Sequence, residues 1–184
     1  MPHTGQTKRW FSINDIPMEK AIGFPPLMCD NPEILILGTI PGKSSIAAGE
    51  YYHDNSNRMW RLLARLCDED LPSDYAGKKA MIARHHIAIW DFYKTVTRLD
   101  STDKGIKFGD TNDLAPLLVN NPSLHTIAIN GYGKYKEFGE SLQEIVDECF
   151  PCRKIRVLRL PETSGLNAAW NLERLYDEWK SIFE

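Results

Sequence analysis

The chain has 184 residues, 42% apolar and 26% charged, with a formal net charge of −3 at pH 7. That length suits one domain of about 100–200 residues, and the composition excludes a disordered, collagen-like or disulfide-scaffold chain. No apolar run reaches the ~20 residues that span a bilayer, and −3 gives no global basic field, so contact with nucleic acid needs a local patch.

Residues 1–30 show little periodicity and close at Pro25-Pro26; they are expected to form an N-terminal extension to a domain over 31–184. The polar stretch from Met1 to Trp10 has no apolar signal core, which predicts a cytoplasmic protein. Ile34 to Leu37 reads as a strand buried on both faces. A long loop rich in Gly, Ser, Tyr and Asn follows. Met59, Leu62, Leu63 and Leu66 then recur at helical spacing, with Asn57 as N-cap. A helix from Ser73 carries Tyr75, Ala80, Met81 and Ile82, and His86 to Trp90 is a second strand. Thr111 to Asn120 reads as a short helix and Leu124 to Ile129 as a third strand. Tyr135, Phe138, Leu142, Ile145 and Val146 line one face of a helix, and Lys154 to Leu160 ends the strand series. Ala169, Leu172, Leu175, Tyr176, Trp179 and Phe183 mark an amphipathic last helix. Alternating strands and helices predict an α/β fold: a three-layer α/β/α sandwich on a central four-stranded parallel sheet. In such sheets working residues gather beyond the carboxyl ends of the strands, here after Leu37, Trp90, Ile129 and Leu160.

The cysteines are Cys29, Cys67, Cys149 and Cys152. Cys149 and Cys152 form a C-x-x-C at a helix end preceded by Glu144, Asp147 and Glu148, whereas a redox thiol is activated at a helix N-terminus or beside cations. Neither Cys29 nor Cys67 has a second ligand at short spacing. Structural thiols and no metal are expected.

The first loop runs Gly38-Thr39-Ile40-Pro41-Gly42-Lys43-Ser44. It approaches a phosphate-binding loop, but that pattern places one more residue between its glycines, and Leu37 occupies the first glycine's place. A plain turn leaving a strand, or a backbone-rich turn contacting one phosphodiester or one extruded base, fits the shortened loop. Tyr51-Tyr52 can stack on bases or pack as a lid on the sheet edge. Asn57 can cap the following helix, and Arg58, Arg61 and Arg65 can meet phosphates or form a solvated face.

Gly38-x-x-Pro41-Gly42, Tyr51-Tyr52 and Asn57-x-Met59-Trp60 together resemble the hypoxanthine (deoxyinosine) branch of the uracil-DNA glycosylase superfamily. Gly23-Phe24-Pro25-Pro26 is similar to that branch's lead-in. Trp90-Asp91 through Thr97-Arg98, with Asp100-Ser101-Thr102-Asp103 and Ile106-Lys107, resembles its second-strand loop. Asn130-Gly131 resembles its third-strand step, and Pro161-Glu162-Thr163-Ser164-Gly165-Leu166-Asn167 stands in place of its second signature loop. The resemblance spans residues 23–180. Departures are Asp54-Asn55 where the branch more often has His-Pro, Met59 for Phe, and Ser164-Gly165-Leu166, which is closer to the mismatch-specific branch.

The resemblance implies a monofunctional DNA glycosylase for deaminated bases, hypoxanthine and then uracil, acting in base excision repair. Such an enzyme everts the nucleotide into a pocket at a cost of a few kcal/mol. It then supplies donors to the departing base, support for a cationic sugar and a placed water. Relatives orient that water with an acidic or amide residue in the first turn; Ile40 cannot, and the role passes to Asn57, whose amide oxygen can accept from a water. Gly38, Thr39, Ile40, Pro41 and Gly42 with Tyr52, Trp90, Asp91, Asn130 and Gly131 form the implied base pocket. Tyr52 stacks on the base, Tyr51 serves as a lid, and Asn130 presents a donor and an acceptor, unless it serves only the turn with Gly131. Asp91 and Arg98 shape the floor, or pair internally. DNA contacts fall to Lys43, Ser44, Arg58, Arg98, Ser164, Gly165, Leu166 and Asn167. Ser164 grips a phosphate and Leu166 fills the vacated stack; a helix cap is the alternative for Ser164 to Asn167.

Lys43, Arg58, Lys94, Arg98, Lys104, Lys107 and Lys134 fall in or beside these loops, while Glu137, Glu140, Glu144, Asp147 and Glu148 lie on the following helix. The implied partner is DNA carrying a damaged base, met by a monomer with no membrane contact, no cofactor and no metal. A mismatch-specific uracil/thymine glycosylase, a P-loop-like nucleotide enzyme and a catalytically silent nucleic-acid-binding module are the alternative readings.

Overall fold

The computed structural model describes residues 18–98, 106–131 and 136–184. In chain order its elements are β1 (Glu19–Ile22), β2 (Ile34–Gly38), α1 (Lys43–Ala48), α2 (Met59–Leu66), α3 (Tyr75–Arg84), β3 (Ile87–Asp91), β4 (Tyr93–Arg98), β5 (Ile106–Thr111), α4 (Ala115–Asn120), β6 (Thr126–Asn130), α5 (Lys136–Cys149), β7 (Arg156–Leu160) and α6 (Leu172–Trp179), with a closing 3-10 turn over Lys180–Phe183. The parallel sheet has the order β3-β2-β6-β7, as the alternation of elements predicts.

Strand β2 is apolar throughout because it is covered on both sides. Successive strand residues point to opposite faces. Ile34 and Ile36 join Met59, Leu62, Leu63, Leu175 and Trp179 from α2 and α6, while Leu35 and Leu37 join Leu117, Leu118, Leu142 and Val146 from α4 and α5. Those two packed faces make the three layers. The chain leaves β2 for β3 on one side and later enters β6 on the other, so the strand order reverses between β2 and β6. A crevice is expected outside the carboxyl ends at such a switch point. Leu37 pairs with Ile129, which sets Gly38 and Asn130 side by side at its mouth.

A second, antiparallel sheet in the order β1-β4-β5 was not legible in the sequence. Thr111 closes β5 rather than opening a helix, and α4 begins only at Ala115. Tyr93–Arg98, expected as part of a loop, is a strand that alternates Thr95-Val96-Thr97, and only Val96 of these is in the core. Helix α1 also lies inside an expected loop and ends at Gly49 in the left-handed conformation, φ 69°. Helix α3 starts at Tyr75 because the Asp74 carboxylate, not Ser73, accepts from the Gly77 N–H. Helix α6 starts at Leu172, capped by the Asn171 side chain accepting from Arg174 N–H. Asp100, Ser101, Thr102, Asp103, Lys104 and Lys134 lie outside the described residues, as do the side chains of Ile106, Lys107, Glu137 and Glu140.

Trp179 joins core and site. Its indole is fully buried and donates from Nε1 to the Pro161 carbonyl at 3.0 Å, holding the loop after β7 against α6. Trp179→Ala is expected to cost about 3–5 kcal/mol. Trp179→Phe keeps the bulk but unpairs the Pro161 carbonyl, at about 1–3 kcal/mol. Urea unfolding of both variants measures the difference.

Candidate active site

A cavity of about 470 Å³ opens at the switch point, lined by the Gly38–Ser45 turn, Tyr51, Tyr52, Asp54, Ser56, Asn57, Asp91, Asn130, Glu162, Ser164, Gly165 and Leu166. That volume lies within the usual range for small-molecule sites, about 300–1,000 Å³.

The turn is held by its carbonyls. Gly38 O accepts from Phe92 N–H at 2.8 Å, Thr39 O from Tyr93 N–H at 3.0 Å, and Pro41 O from the Arg98 guanidinium at 3.0 Å. Gly38 must lack a side chain: a Cβ there would stand 2.9 Å from Asp91 Oδ1 and 3.1 Å from the Tyr52 hydroxyl. Asp91 and Tyr52 therefore close directly over the Gly38 backbone. Lys43 lies at the lip, but its ammonium pairs with Glu19 at 2.8 Å. Among the described lining residues the one lysine is thus engaged in an ion pair at the surface. Arg98 is 1% exposed. It braces the turn from behind, which excludes the DNA contact expected of it.

The two tyrosines differ. Tyr51, expected as a lid, is a core residue at 2% exposure. Its hydroxyl donates to the Phe24 and Pro25 carbonyls at 3.4 and 3.3 Å, its carbonyl accepts from Trp60 Nε1 at 2.8 Å, and its ring meets Phe24 edge-on. Burial, and then the neighbouring Asp91 carboxylate, hold the Tyr51 phenol far above its ordinary range. Tyr52 is half-buried in the cleft, in the left-handed region at φ 53°. A non-glycine residue there is strained by roughly 1–3 kcal/mol, and the Tyr52 hydroxyl ends beside Gly38.

Arg58, not Asn57 as expected, is the N-cap of α2; Asn57 stands one residue earlier, and its Oδ1 accepts from Met59 N–H at 3.0 Å. The same oxygen accepts from the Thr163 hydroxyl at 2.9 Å. Both lone pairs of Oδ1 are therefore occupied, and the amide nitrogen is the polar edge left for a ligand. Asn130, nearly buried at the end of β6, accepts at Oδ1 from Thr163 N–H (3.0 Å) and donates from Nδ2 to Thr163 Oγ1 (3.2 Å) and to the Tyr52 hydroxyl (3.4 Å). It lines the cleft, yet most of its hydrogen-bonding capacity is engaged by protein.

The loop after β7 is clipped onto this frame. Arg58 donates its backbone N–H to Thr163 O at 2.9 Å and its guanidinium to Ser164 O at 2.7 Å. Ser164 Oγ accepts from Leu166 N–H, and Asn167 Nδ2 donates to Glu162 O. Gly165 packs onto Ser56 so closely that a Cβ would overlap the serine side chain and stand 2.9 Å from its carbonyl oxygen. Leu166 projects into solvent at 82% exposure.

Of the residues expected at the site, Gly38 to Ser44, Tyr52, Asn57, Asp91, Asn130, Ser164, Gly165 and Leu166 line one cavity. Trp90, Gly131, Arg58, Arg98 and Asn167 do not. Trp90 donates to Phe24 O from beside the Leu35 and Leu37 core, and Gly131 donates its N–H to Leu160 O. Sequence reasoning missed Asp54, Ser56, Glu162 and Thr163. The Asp54-Asn55-Ser56 turn was detectable by its Asx pattern: Asp54 accepts from the Ser56 hydroxyl and N–H, which hold its carboxyl below the usual range. Nothing in the sequence distinguishes Thr163 from a loop threonine. Cys29, Cys67, Cys149 and Cys152 are free thiols, and burial pushes Cys67 up to about 12. Among the described residues no group of His, Cys, Asp or Glu side chains could hold a metal ion, and no helix is long and apolar enough to cross a membrane.

Comparison with known proteins gives the same region a family. Residues 25–182 match the Uracil DNA glycosylase superfamily. The chain is 33% identical over 162 residues to the hypoxanthine DNA glycosylase of Methanosarcina acetivorans, covering 88% of this chain and 96% of that protein. It is 38% identical over 113 residues to the hypoxanthine DNA glycosylase of Methanosarcina barkeri, covering 61% and 72%. A solution NMR structure of a provisionally assigned uracil DNA glycosylase from Methanosarcina acetivorans superimposes with a TM-score of 0.71 at 26% identity, over 90% of this chain and 100% of that one.

Two glycines separate a working contact from an incidental one. Gly165→Ala must push the Ser56 turn away and is expected to cost about 1–3 kcal/mol. Gly42→Ala, with nothing within 4 Å of its Cβ, should stay within about 0.5 kcal/mol of the parent. Chemical denaturation of the pair checks both.

Proposed function

The chain belongs to the uracil DNA glycosylase superfamily, and on that footing we propose that it is a monofunctional DNA glycosylase hydrolysing the N-glycosidic bond of deaminated bases, hypoxanthine first and uracil next, in base excision repair. The observation that carries the reading is the switch-point cavity that Asp91, Tyr52 and Asn57 line together, with Asp91 and Tyr52 directly over Gly38. The reading includes a cytoplasmic monomer whose partner is DNA.

Deamination reverses the hydrogen-bonding polarity of a base edge. Adenine N1 is an acceptor, whereas the lactam of hypoxanthine carries N1–H, and uracil likewise carries N3–H where cytosine has an acceptor. The Asp91 carboxylate at the cavity floor offers a fixed acceptor to that new proton and meets the lone pair of an undamaged adenine or cytosine unfavourably. Tyr52 supplies the stacking face, and the absence of a side chain at Gly38 lets Asp91 and Tyr52 come together at the cavity.

Asn57 is the catalytic residue of this reading. Its oxygen is occupied by Met59 N–H and the Thr163 hydroxyl, so the role fitting this arrangement is donation from Nδ2 to charge gathering on the departing base, rather than the water-accepting role expected from sequence. On the loop after β7, Ser164 grips a phosphate and Leu166, already 82% exposed, inserts into the vacated stack. Hydrolysis without a lyase step agrees with Lys43, among the described lining residues the one lysine, being engaged by Glu19. The same ion pair disfavours the P-loop-like alternative.

The test is single-turnover base release from duplexes carrying one deoxyinosine, deoxyuridine, deoxyxanthosine or G·T mismatch. Hypoxanthine should leave fastest. Asn57→Ala should slow release roughly 10²–10³-fold while losing about 1 kcal/mol of stability with the bond to Met59 N–H. Release from the G·T duplex alone would favour the mismatch-specific alternative. Binding without release by the parent protein would favour the silent module.

Duplex affinity should also fall steeply as salt rises, because phosphate contacts release counterions. A flat dependence, measured by fluorescence anisotropy, contradicts duplex binding.

A further inference from the structure

We propose that Thr163 is a positioning residue for base release: its hydroxyl locks the Asn57 amide with Oδ1 turned into the protein and Nδ2 toward the cleft. The proposal rests on the glycosylase reading above and adds to it a residue that itself meets neither base nor sugar. Thr163 is 0% exposed and is absent from the cavity lining.

The polarity of the chain is forced by two backbone donors that cannot reverse. Thr163 N–H donates to one atom of the Asn130 amide at 3.0 Å, so that atom is the oxygen. The other atom, Nδ2, is then a donor, and it points at Thr163 Oγ1 at 3.2 Å. A hydroxyl that accepts there is left with its single proton to give, and the acceptor within reach is Asn57 Oδ1 at 2.9 Å. Met59 N–H, the second irreversible donor, independently requires the same Asn57 atom to be oxygen. Turning the Asn57 amide over would set its NH2 group against Met59 N–H and the Thr163 hydroxyl. An unmet buried donor costs about 1–3 kcal/mol, and linked hydrogen bonds of this kind reinforce one another. The network starts on a rigid strand, β6, and ends on the group that faces the substrate, so it transmits the position of the sheet to the reacting site.

The loop is already fixed without the hydroxyl. Arg58 binds the carbonyls of Thr163 and Ser164, Thr163 N–H binds Asn130, and Trp179 binds Pro161 O. Removing the hydroxyl therefore leaves the Asn57 amide held by Met59 N–H alone while the loop keeps all of these bonds, and this separates positioning from general support.

The experiment compares the parent with T163V, T163A, T163S, N57A and the T163V/N57A double variant. It measures single-turnover release from a deoxyinosine duplex, affinity for a duplex carrying non-cleavable 2′-fluoro-deoxyinosine, and thermal unfolding. T163V and T163A should each release hypoxanthine about 10²-fold more slowly, the scale of a small misplacement at a reacting centre, with affinity unchanged. T163S, which keeps the hydroxyl, should restore the rate. In the N57A background T163V should change the rate by no more than about twofold, since the two substitutions remove one coupled function. The proposal is overturned if T163V and T163A match the parent, if T163S is as slow as T163V, or if the effects of T163V and N57A multiply. Parent protein inactive on deoxyinosine, deoxyuridine and deoxyxanthosine duplexes alike overturns the glycosylase reading, and this proposal falls with it. A hydroxyl-independent rate in an active parent overturns this proposal alone.

Discussion

Met59 N–H at the start of α2 and Thr163 N–H in the loop after β7, both fixed backbone donors, orient Asn57 and Asn130 so that each turns its oxygen inward. The Thr163 hydroxyl joins the two amides into one run from the end of β6 to the start of α2. Everything distinctive about the site follows from this run being satisfied. Buried polar groups are tolerated when they are hydrogen-bonded and costly when they are not, so neither amide can relax independently. A donor edge, rather than an acceptor edge, is what the protein offers at Asn57.

The surrounding fold explains why such a run exists there. A parallel sheet whose order reverses between β2 and β6 leaves a gap at its carboxyl edge, and Gly38 and Asn130 flank that gap. The second sheet supplies Arg98 to Pro41 O from behind the first turn, while Arg58 and Trp179 fix the opposite loop. Cations that the sequence offers to DNA thus serve partly as internal braces. Arg98 is buried and Lys43 is paired to Glu19, so two of the described cations that the sequence offers to DNA are engaged within the protein. That makes the exposed Leu166 wedge and the backbone of the clipped loop correspondingly more important to the proposed mode of binding.

Much of this was legible beforehand, and the limits are physical. The apolar runs Ile34–Leu37 and Leu124–Ile129 and the spacing of Met59, Leu62, Leu63 and Leu66 report burial, which fixes strands and helices directly. The β1-β4-β5 sheet escaped notice because Thr95, Val96 and Thr97 bury only the central residue and their partner strand contains Gly109 and Asp110. Tyr51 and Tyr52 are identical in type, and only the fold separates an anchor hydrogen-bonded to Phe24 and Pro25 carbonyls from a ring over the cavity. Arg98 looked like a phosphate ligand because charge rarely lies fully inside a protein. Thr163 stood in the loop that resembles the second signature loop but showed no role of its own, since its importance lies in bonds to residues 33 and 106 positions away.

The most direct measurement is a crystal structure of the protein with a duplex containing 2′-fluoro-deoxyinosine. The account predicts an everted hypoxanthine seated in the cavity against Tyr52, its N1–H on the Asp91 carboxylate and the Asn57 amide nitrogen facing the base. A base still stacked in the duplex, or one seated in the cavity with Asn57 turned away from it, contradicts the account.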